Sequence, residues 1–338
     1  MQISICIPTY NGAKFIGESL ESALCQTIAD TEVLVVDDAS RDDTVAIVEA
    51  FARKDPRVRL VVNSTNQGLV ANWNRALDLA CGEWIKYLFQ DDLLDPTCVE
   101  RLLDAGLRRR CGVVGCLRDF IFAEGTSSRD RHWYPMHREM VARSFESGFL
   151  TPEGVAHAAL ERFGSNIFGE PTVALIRRDV FEKVGRFDAA LAQRCDGEFW
   201  IRAGLHCGIA MVLENLASFR VHPDSTSAQN ADRREYADEW LDLLIMLHRY
   251  LFDPLYEPMR RVALKGGRHR ELRRLFWDGA HDAQMLLSEA AGPNGEQLRH
   301  DFARVALAYP RIARIPLPNV LDRKLRRAMA RIRWQRAI

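Results

Sequence analysis

Five features are absent from this 338-residue chain, and each absence narrows what it can be. None of its eight cysteines, at positions 6, 25, 81, 98, 111, 116, 195 and 207, stands in a CxxC pair. Several lie in apolar runs such as Ile3-Ser4-Ile5-Cys6-Ile7, so they read as reduced, buried thiols of a cytosolic protein and not as a metal or redox motif. Neither GxGxxG nor GxxxxGK followed by Ser or Thr occurs, so a phosphate-binding sheet here lacks a glycine cradle and needs a metal ion instead. No apolar run reaches the ~18 residues of a membrane span. The N-terminus has no basic n-region, so a cleaved signal peptide is not expected. Net charge is missing too: 46 Lys and Arg balance 46 Asp and Glu, which argues against a nucleic-acid partner.

What is present is a globular composition, 47% hydrophobic and 27% charged, enough for a large core. At ~100–200 residues per domain the length suits one large domain with an appendage, or two domains. The first hundred residues alternate β-branched runs with amphipathic stretches, the pattern of βαβ units around a parallel sheet. Strands are expected over Ile3–Ile7, Glu32–Asp37, Val58–Asn63 and Trp84–Phe89, and helices over Ala13–Cys25, Asp43–Lys54 and Leu69–Cys81. Ser40 and Asp43 make an S-x-x-D capping signal before the second helix. Right-handed crossovers set the loops after each strand along one sheet edge, where ligands of such sheets bind. Further on, the pattern predicts a strand region from Cys111 to about Phe122 and a loop-like stretch over 123–150. A helix over Thr151–Arg162, a strand over Thr172–Arg177 and a helix over Cys195–Leu205 follow. Beyond about Gln229 the period is mostly helical, with no internal repeat.

Chemistry-bearing residues gather at the strand ends. The first ends in Pro8-Thr9-Tyr10-Asn11-Gly12, where Tyr10 can form a platform for a nucleobase and Asn11-Gly12 turns the chain into a helix. The second ends in Asp37-Asp38-Ala39-Ser40. Adjacent carboxylates repel unless a donor or cation meets them; one here can accept from a base N–H or ribose hydroxyl, or cap a helix. The fourth ends in Phe89-Gln90-Asp91-Asp92. A second acidic pair at the same edge suits a hard divalent cation, which takes carboxylate oxygens and is completed by phosphate oxygens.

Pro8-Thr9-Tyr10-Asn11, Val36-Asp37-Asp38-Ala39-Ser40, Asn66-Gln67-Gly68 and Gln90-Asp91-Asp92, in that order and spacing, resemble the family 2 glycosyltransferases. The likeness continues through Arg177-Arg178-Asp179-Val180-Phe181, Gly185-Arg186-Phe187-Asp188, Asp196-Gly197-Glu198-Phe199-Trp200 and Phe219-Arg220-Val221-His222-Pro223, covering residues 1 to about 229. The resemblance implies a GT-A fold, an α/β Rossmann-like mixed sheet flanked by helices, with a helical C-terminal extension. The expected domains are 1–229, divided into a nucleotide-binding half (1–110) and an acceptor half (111–229), and 230–338. It implies an inverting, Mg2+- or Mn2+-dependent transfer from a nucleotide-sugar donor, most often a UDP-sugar, to a saccharide or lipid-linked acceptor in surface polysaccharide or glycan assembly.

The resemblance also assigns positions. Pro8, Tyr10 and Asp38 contact the nucleobase, within a nucleotide-binding set that includes Thr9, Asn11 and Asn72. Asp91 and Asp92 hold the ribose and the metal, with His222 close to the metal or diphosphate. Asp196 is the catalytic base, and Glu170 lies near the acceptor. Glu198 is the rival base and a second acceptor-side carboxylate. A carboxylate in a partly desolvated cleft can have its pKa raised toward working pH, which suits Asp196 to accept a hydroxyl proton; its structural alternative is a helix N-cap.

Two positions depart from the family pattern. Phe89 stands where many relatives carry an additional aspartate, and Ala71-Asn72-Trp73-Asn74 replaces the usual A-R-N segment, leaving Asn72 to supply an amide. A non-catalytic nucleotide-sugar binder is therefore the competing expectation. From Arg311 to Ile338 nine basic residues face one acid, a local charge of +8, with Leu321, Leu325, Met329 and Ile332 at helical spacing. This tail suits either a docked helix or peripheral contact with the inner membrane face of a cytoplasmic protein.

Overall fold

The computed structural model describes residues 3–191, 193–223, 225, 237–289 and 292–313. The run Ile-Ser-Ile-Cys-Ile-Pro-Thr forms β1 (Ile3–Thr9), buried at every position. A strand buried on both faces belongs inside a sheet covered by helices. β1 pairs in parallel with β2 (Thr31–Asp37) and with β4 (Trp84–Tyr87), and β2 pairs in parallel with β3 (Val58–Val62). The connecting helices are α1 (Ile16–Leu24), α2 (Thr44–Ala52) and α3 (Leu69–Leu79).

The second half of the sheet is mixed. It comprises β5 (Leu93–Leu94), β6 (Val113–Phe122), β7 (Phe149–Leu150), β8 (Ala174–Arg177) and β9 (Ile209–Val221). β8 runs antiparallel between β4 and β6, and β9 runs parallel to β6. The order is β3-β2-β1-β4-β8-β6-β9-β5, with β7 paired to β9. Five more helices surround it: α4 (Cys98–Arg109), α5 (Ser128–Ser144), α6 (Pro152–Glu161), α7 (Arg178–Val184) and α8 (Cys195–Cys207).

The chain divides into two compact units, residues 1–189 with 194–232, and residues 190–193 with 233–338. The second is helical: α9 (Ala237–Phe252), α10 (Glu257–Lys265), α11 (His269–Glu289), α12 (Gly292–Ala308) and α13 (Pro310–Ala313). Its core sets Phe252 edge-on to Phe276 at 5.3 Å and Tyr250 against Tyr256 at 5.1 Å. The basic tail lies outside the described residues from 314 onward.

Three expectations are corrected. Residues 128–144 form a helix where a loop-like stretch was expected, because the Ser127 hydroxyl caps it by accepting from the Asp130 N–H at 3.0 Å. The scattered aromatics and Pro135 hid its period. Ser40 does not cap α2: its hydroxyl donates to Asp37, and the Thr44 N–H turns to Asp42 at 3.1 Å. Finally, Cys25 and Cys81 are exposed, although the other six are buried or half-buried and all eight are free thiols.

Gly115 lets β6 approach the loop after α6, since a Cβ there would stand 2.3 Å from the buried Phe168 ring. Gly115→Ala is expected to destabilise the protein by about 1–3 kcal/mol through overpacking. A urea unfolding midpoint equal to that of the wild type would contradict this contact.

Candidate active site

The loops leaving β1, β2 and β4 are stitched along one rim. Gln90 Oε1 accepts from the Thr9 hydroxyl at 2.6 Å and from the Tyr10 N–H at 2.9 Å. The Asn11 N–H donates to Ser40 Oγ at 2.8 Å, and Asn11 Oδ1 accepts from the Arg41 N–H at 2.9 Å. Asn11 and Ala39 take the left-handed conformation, with φ of 49° and 62°, which non-glycine residues adopt at turns when their surroundings over-determine it. Pro8 is buried within β1. Tyr10 is 41% exposed, an open aromatic surface at this rim.

Asp38 and Asn72 point inward. Asp38 accepts from Asn63 Nδ2 at 2.8 Å, from the Gln67 N–H at 2.9 Å and from the Gly68 N–H at 2.9 Å, so it shapes the turn into α3. Asn72 is buried, donating to the Val36 carbonyl at 2.9 Å and accepting from Asn63 at 3.1 Å. Asn72, expected to offer its amide to a nucleobase, is instead buried and turned toward Val36 and Asn63.

The second acidic pair divides its roles. Asp92 is fully buried; one oxygen accepts from the Thr172 hydroxyl at 2.5 Å and the other from the Arg220 N–H at 2.9 Å. Desolvation, with Asp91 alongside, pushes its carboxyl well above the usual carboxylate range. A buried acid with both oxygens engaged is poorly placed to ligate a cation, which corrects the expectation for Asp92. Asp91 stays 19% exposed, and its Oδ2 meets His222 Nε2 at 2.9 Å. Arg220 donates to the Asp91 carbonyl at 2.9 Å and to Glu18 at 2.7 Å, its guanidinium 4.4 Å above the Phe15 ring. Among the described residues no group of three or more His, Cys, Asp or Glu is assembled to hold a metal ion alone. Asp91 and His222 still bring a carboxylate oxygen and an imidazole nitrogen to one place, a donor pair that fits a cation completed by phosphate oxygens and water. Phe89 is no ligand: it stacks on Trp73 at 5.0 Å.

Asp196 lies in the first turn of α8, half-buried. Burial, followed by the charge of Glu170, raises its carboxyl to about 7, opposed in part by hydrogen bonds and by Arg118. Asn166 Nδ2 donates to Asp196 Oδ2 at 2.9 Å. Glu170 pairs with the buried Arg118, Nε to Oε2 at 2.5 Å, and acts electrostatically on Asp92 as well as Asp196. Thr172, two residues on, carries the link from Glu170 to the β4 rim.

Glu198 does not join this cluster. It is fully buried and grips Arg202 through two bonds of 2.8 Å, while Arg202 holds the Val184 and Arg186 carbonyls. Its expected roles as rival base and acceptor ligand are therefore corrected: one helical turn from Arg202, it faces the core. Arg118, Asn166 and Thr172 were not singled out by sequence. Arg118 carried a signal, a cation directly after the apolar Val113–Leu117 run; Asn166 carried none beyond its place between Gly164 and Gly169.

A mixed sheet with its polar loops gathered at the strand ends, flanked by helices, defines a GT-A nucleotide-sugar transferase fold. The family model for glycosyl transferase family 2 matches residues 4–185, and the chain belongs to that family. An uncharacterised protein of Mycobacterium tuberculosis is 32% identical over 239 residues, 70% of this chain and 72% of that protein. The succinoglycan biosynthesis protein ExoO of Rhizobium meliloti is 29% identical over 316 residues, 93% of this chain and 86% of that protein. Among solved structures, S. aureus TarS in complex with UDP-GlcNAc matches with a TM-score of 0.57 at 16% identity, covering 92% of this chain and 90% of that one. The mannosyltransferase PcManGT from Pyrobaculum calidifontis, in complex with GDP-Man and Mn2+, matches with a TM-score of 0.56 at 20% identity, covering 91% and 81%.

The two neighbouring acids should separate experimentally. Asp92→Ala strands the Thr172 hydroxyl and the Arg220 N–H and is expected to cost about 2–4 kcal/mol of stability, whereas Asp91→Ala unfolds near the wild-type urea midpoint. Equal midpoints for Asp92→Ala and wild type would contradict the division of roles.

Proposed function

We propose that this chain is an inverting glycosyltransferase that moves a sugar from a nucleoside-diphosphate donor to a hydroxyl of a saccharide or lipid-linked acceptor, with Asp196 as general base. The observation that carries this reading is a half-buried carboxylate held by Asn166, raised to about 7 by burial and by Glu170, whose charge also acts on the buried Asp92 at the β4 rim. A base titrating close to working pH can take a hydroxyl proton while a substantial fraction of it is ionised. Thr9, Tyr10 and Asn11 would receive the nucleoside, with the exposed Tyr10 ring as stacking surface. Asp38 would act by shaping the wall of that site through its bonds to Gln67 and Gly68.

Asp91 and His222 would hold a Mg2+ or Mn2+ ion against the diphosphate, in keeping with the Mn2+ complex of the PcManGT neighbour. When bound, such an ion supplies Lewis-acid neutralisation of the leaving group. Glu170, fixed by Arg118, would line the acceptor side and keep Asp196 basic. Attack opposite the leaving diphosphate then inverts the anomeric centre in one displacement. Polysaccharide assembly as the setting is supported by the likeness to ExoO along most of both chains. No helix among the described residues is long and apolar enough to cross a membrane.

Asp196→Asn is expected to lower turnover by about 10²–10⁴-fold while donor affinity survives. Hydrolysis across a panel of UDP- and GDP-sugars with Mn2+ measures the turnover, and calorimetry measures the affinity. Donor binding with no hydrolysis by the wild type would favour the non-catalytic binder suggested by Phe89. The pH profile gives a second check. Asp196 is protonated below its pKa, so kcat should fall about tenfold per pH unit below about 7 and level off above it. A flat profile from pH 5 to 8 would remove Asp196 as the base.

A further inference from the structure

Asn166 has its side chain fully committed. Its Oδ1 accepts from the Phe168 and Gly169 N–H groups, both at 2.9 Å, and its Nδ2 donates to the Gly169 carbonyl at 3.0 Å and to Asp196 Oδ2 at 2.9 Å. An amide has two donors and two acceptor lone pairs, so every one is used. Turning the amide over would set its NH2 against two N–H groups and its oxygen against a carbonyl and a carboxylate. One orientation alone is consistent with these partners.

The main chain of Asn166 is braced as well. Its carbonyl meets His137 Nε2 at 2.8 Å, and His137 Nδ1 meets Arg118 Nη2 at 3.2 Å. A guanidinium can only donate, so Nδ1 must be the acceptor and Nε2 must carry the proton that Asn166 receives. Burial and the Arg118 charge lower the His137 pKa, which keeps the ring in this neutral tautomer. Trp133 covers the imidazole face in a stack 4.9 Å between centroids and 13° from parallel. Arg118 is anchored in turn by Glu170.

We propose that Asn166 is the positioning residue of Asp196: braced by His137 and Arg118, it holds Oδ2 and so fixes the orientation in which the carboxylate faces the acceptor. This rests on Asp196 being the base. The groups acting on Asp196 are its own N–H and that of Gly197 on its helix, Glu170 on the loop before β8, Arg118 on β6 and Asn166 itself. Of these, Asn166 bonds the carboxylate side chain to side chain. A donor to the ionised form favours that form, so losing it makes Asp196 a weaker acid and a less ordered base.

The test is the titration of Asp196 in the full chain, followed by NMR of aspartate labelled with 13C at the side-chain carboxyl. The Asp196 resonance is assigned by its loss in Asp196→Asn. Asn166→Ala should raise the Asp196 midpoint by about 0.5–1 pH unit. It should also lower kcat at pH 7 by about 10–100-fold, at an unchanged KM for the nucleotide sugar hydrolysed fastest. Asn166→Ser, whose hydroxyl can still accept from the loop amides but is too short to reach Asp196, should give the same shift and serves if the alanine variant does not fold. A folded variant in which Asp196 titrates as in wild type would overturn the proposal. Should Asp196→Asn keep its turnover while the Asn166 variants still shift the titration, the base assignment fails and the hydrogen bond stands.

Discussion

The buried Asp92 carboxylate is the constraint on which the site depends. By accepting from Thr172 and from the Arg220 N–H, it ties the exit of β4 to the short turn before β8 and to the end of strand β9. Asp91 follows from that bond, because its neighbour cannot move, and His222 follows because it stands two residues beyond Arg220. Their 2.9 Å approach, across 131 residues of sequence, follows from a hydrogen bond one residue from Asp91 and two residues from His222. Removing a partner from a buried polar pair costs the desolvation of whatever remains, so such a tie is stiff.

The same fold gives its acids different work by giving them different surroundings. Asp92 is fully enclosed and held well above the usual carboxylate range. Asp38 is enclosed as well, but four donor contacts surround it and it organises backbone. Glu198 is enclosed with a guanidinium and supports the Val184–Arg186 turn. Asp91 and Asp196 are left partly open. Partial burial, not acidity of the residue type, separates a group able to do chemistry from one that holds structure.

Much of the fold was legible because its signals are local. The four parallel strands, the first three helices and the polar strand ends follow from period and from turn residues, and the ordered motifs named the family. What sequence could not resolve was the direction in which each polar side chain points. In Asp91-Asp92 the two members read alike, yet long-range partners bury Asp92 and leave Asp91 part-exposed, whereas in Asp37-Asp38 both are buried and engaged within the fold. Asn72 looked like a substitute for a missing arginine and proves to be an internal amide between β2 and α3. Helix α5 was missed because only His137 and Val141 of its residues are buried, so no apolar stripe marks its period, and its Tyr134 packs on Phe120 and Phe219 of the sheet while Trp133 stacks along the helix on His137. Asn166 was invisible for a simpler reason, since its partners lie 29 and 30 residues away.

The proposed function places a cation at Asp91 and His222, where it would meet a donor's diphosphate. Electron spin-echo envelope modulation of Mn2+ added with UDP tests it most directly, because an imidazole nitrogen bound to the ion leaves its own modulation. The account predicts a nitrogen coupling in the wild-type complex that disappears in His222→Gln. A wild-type spectrum without that coupling, or one unchanged by the substitution, would contradict it.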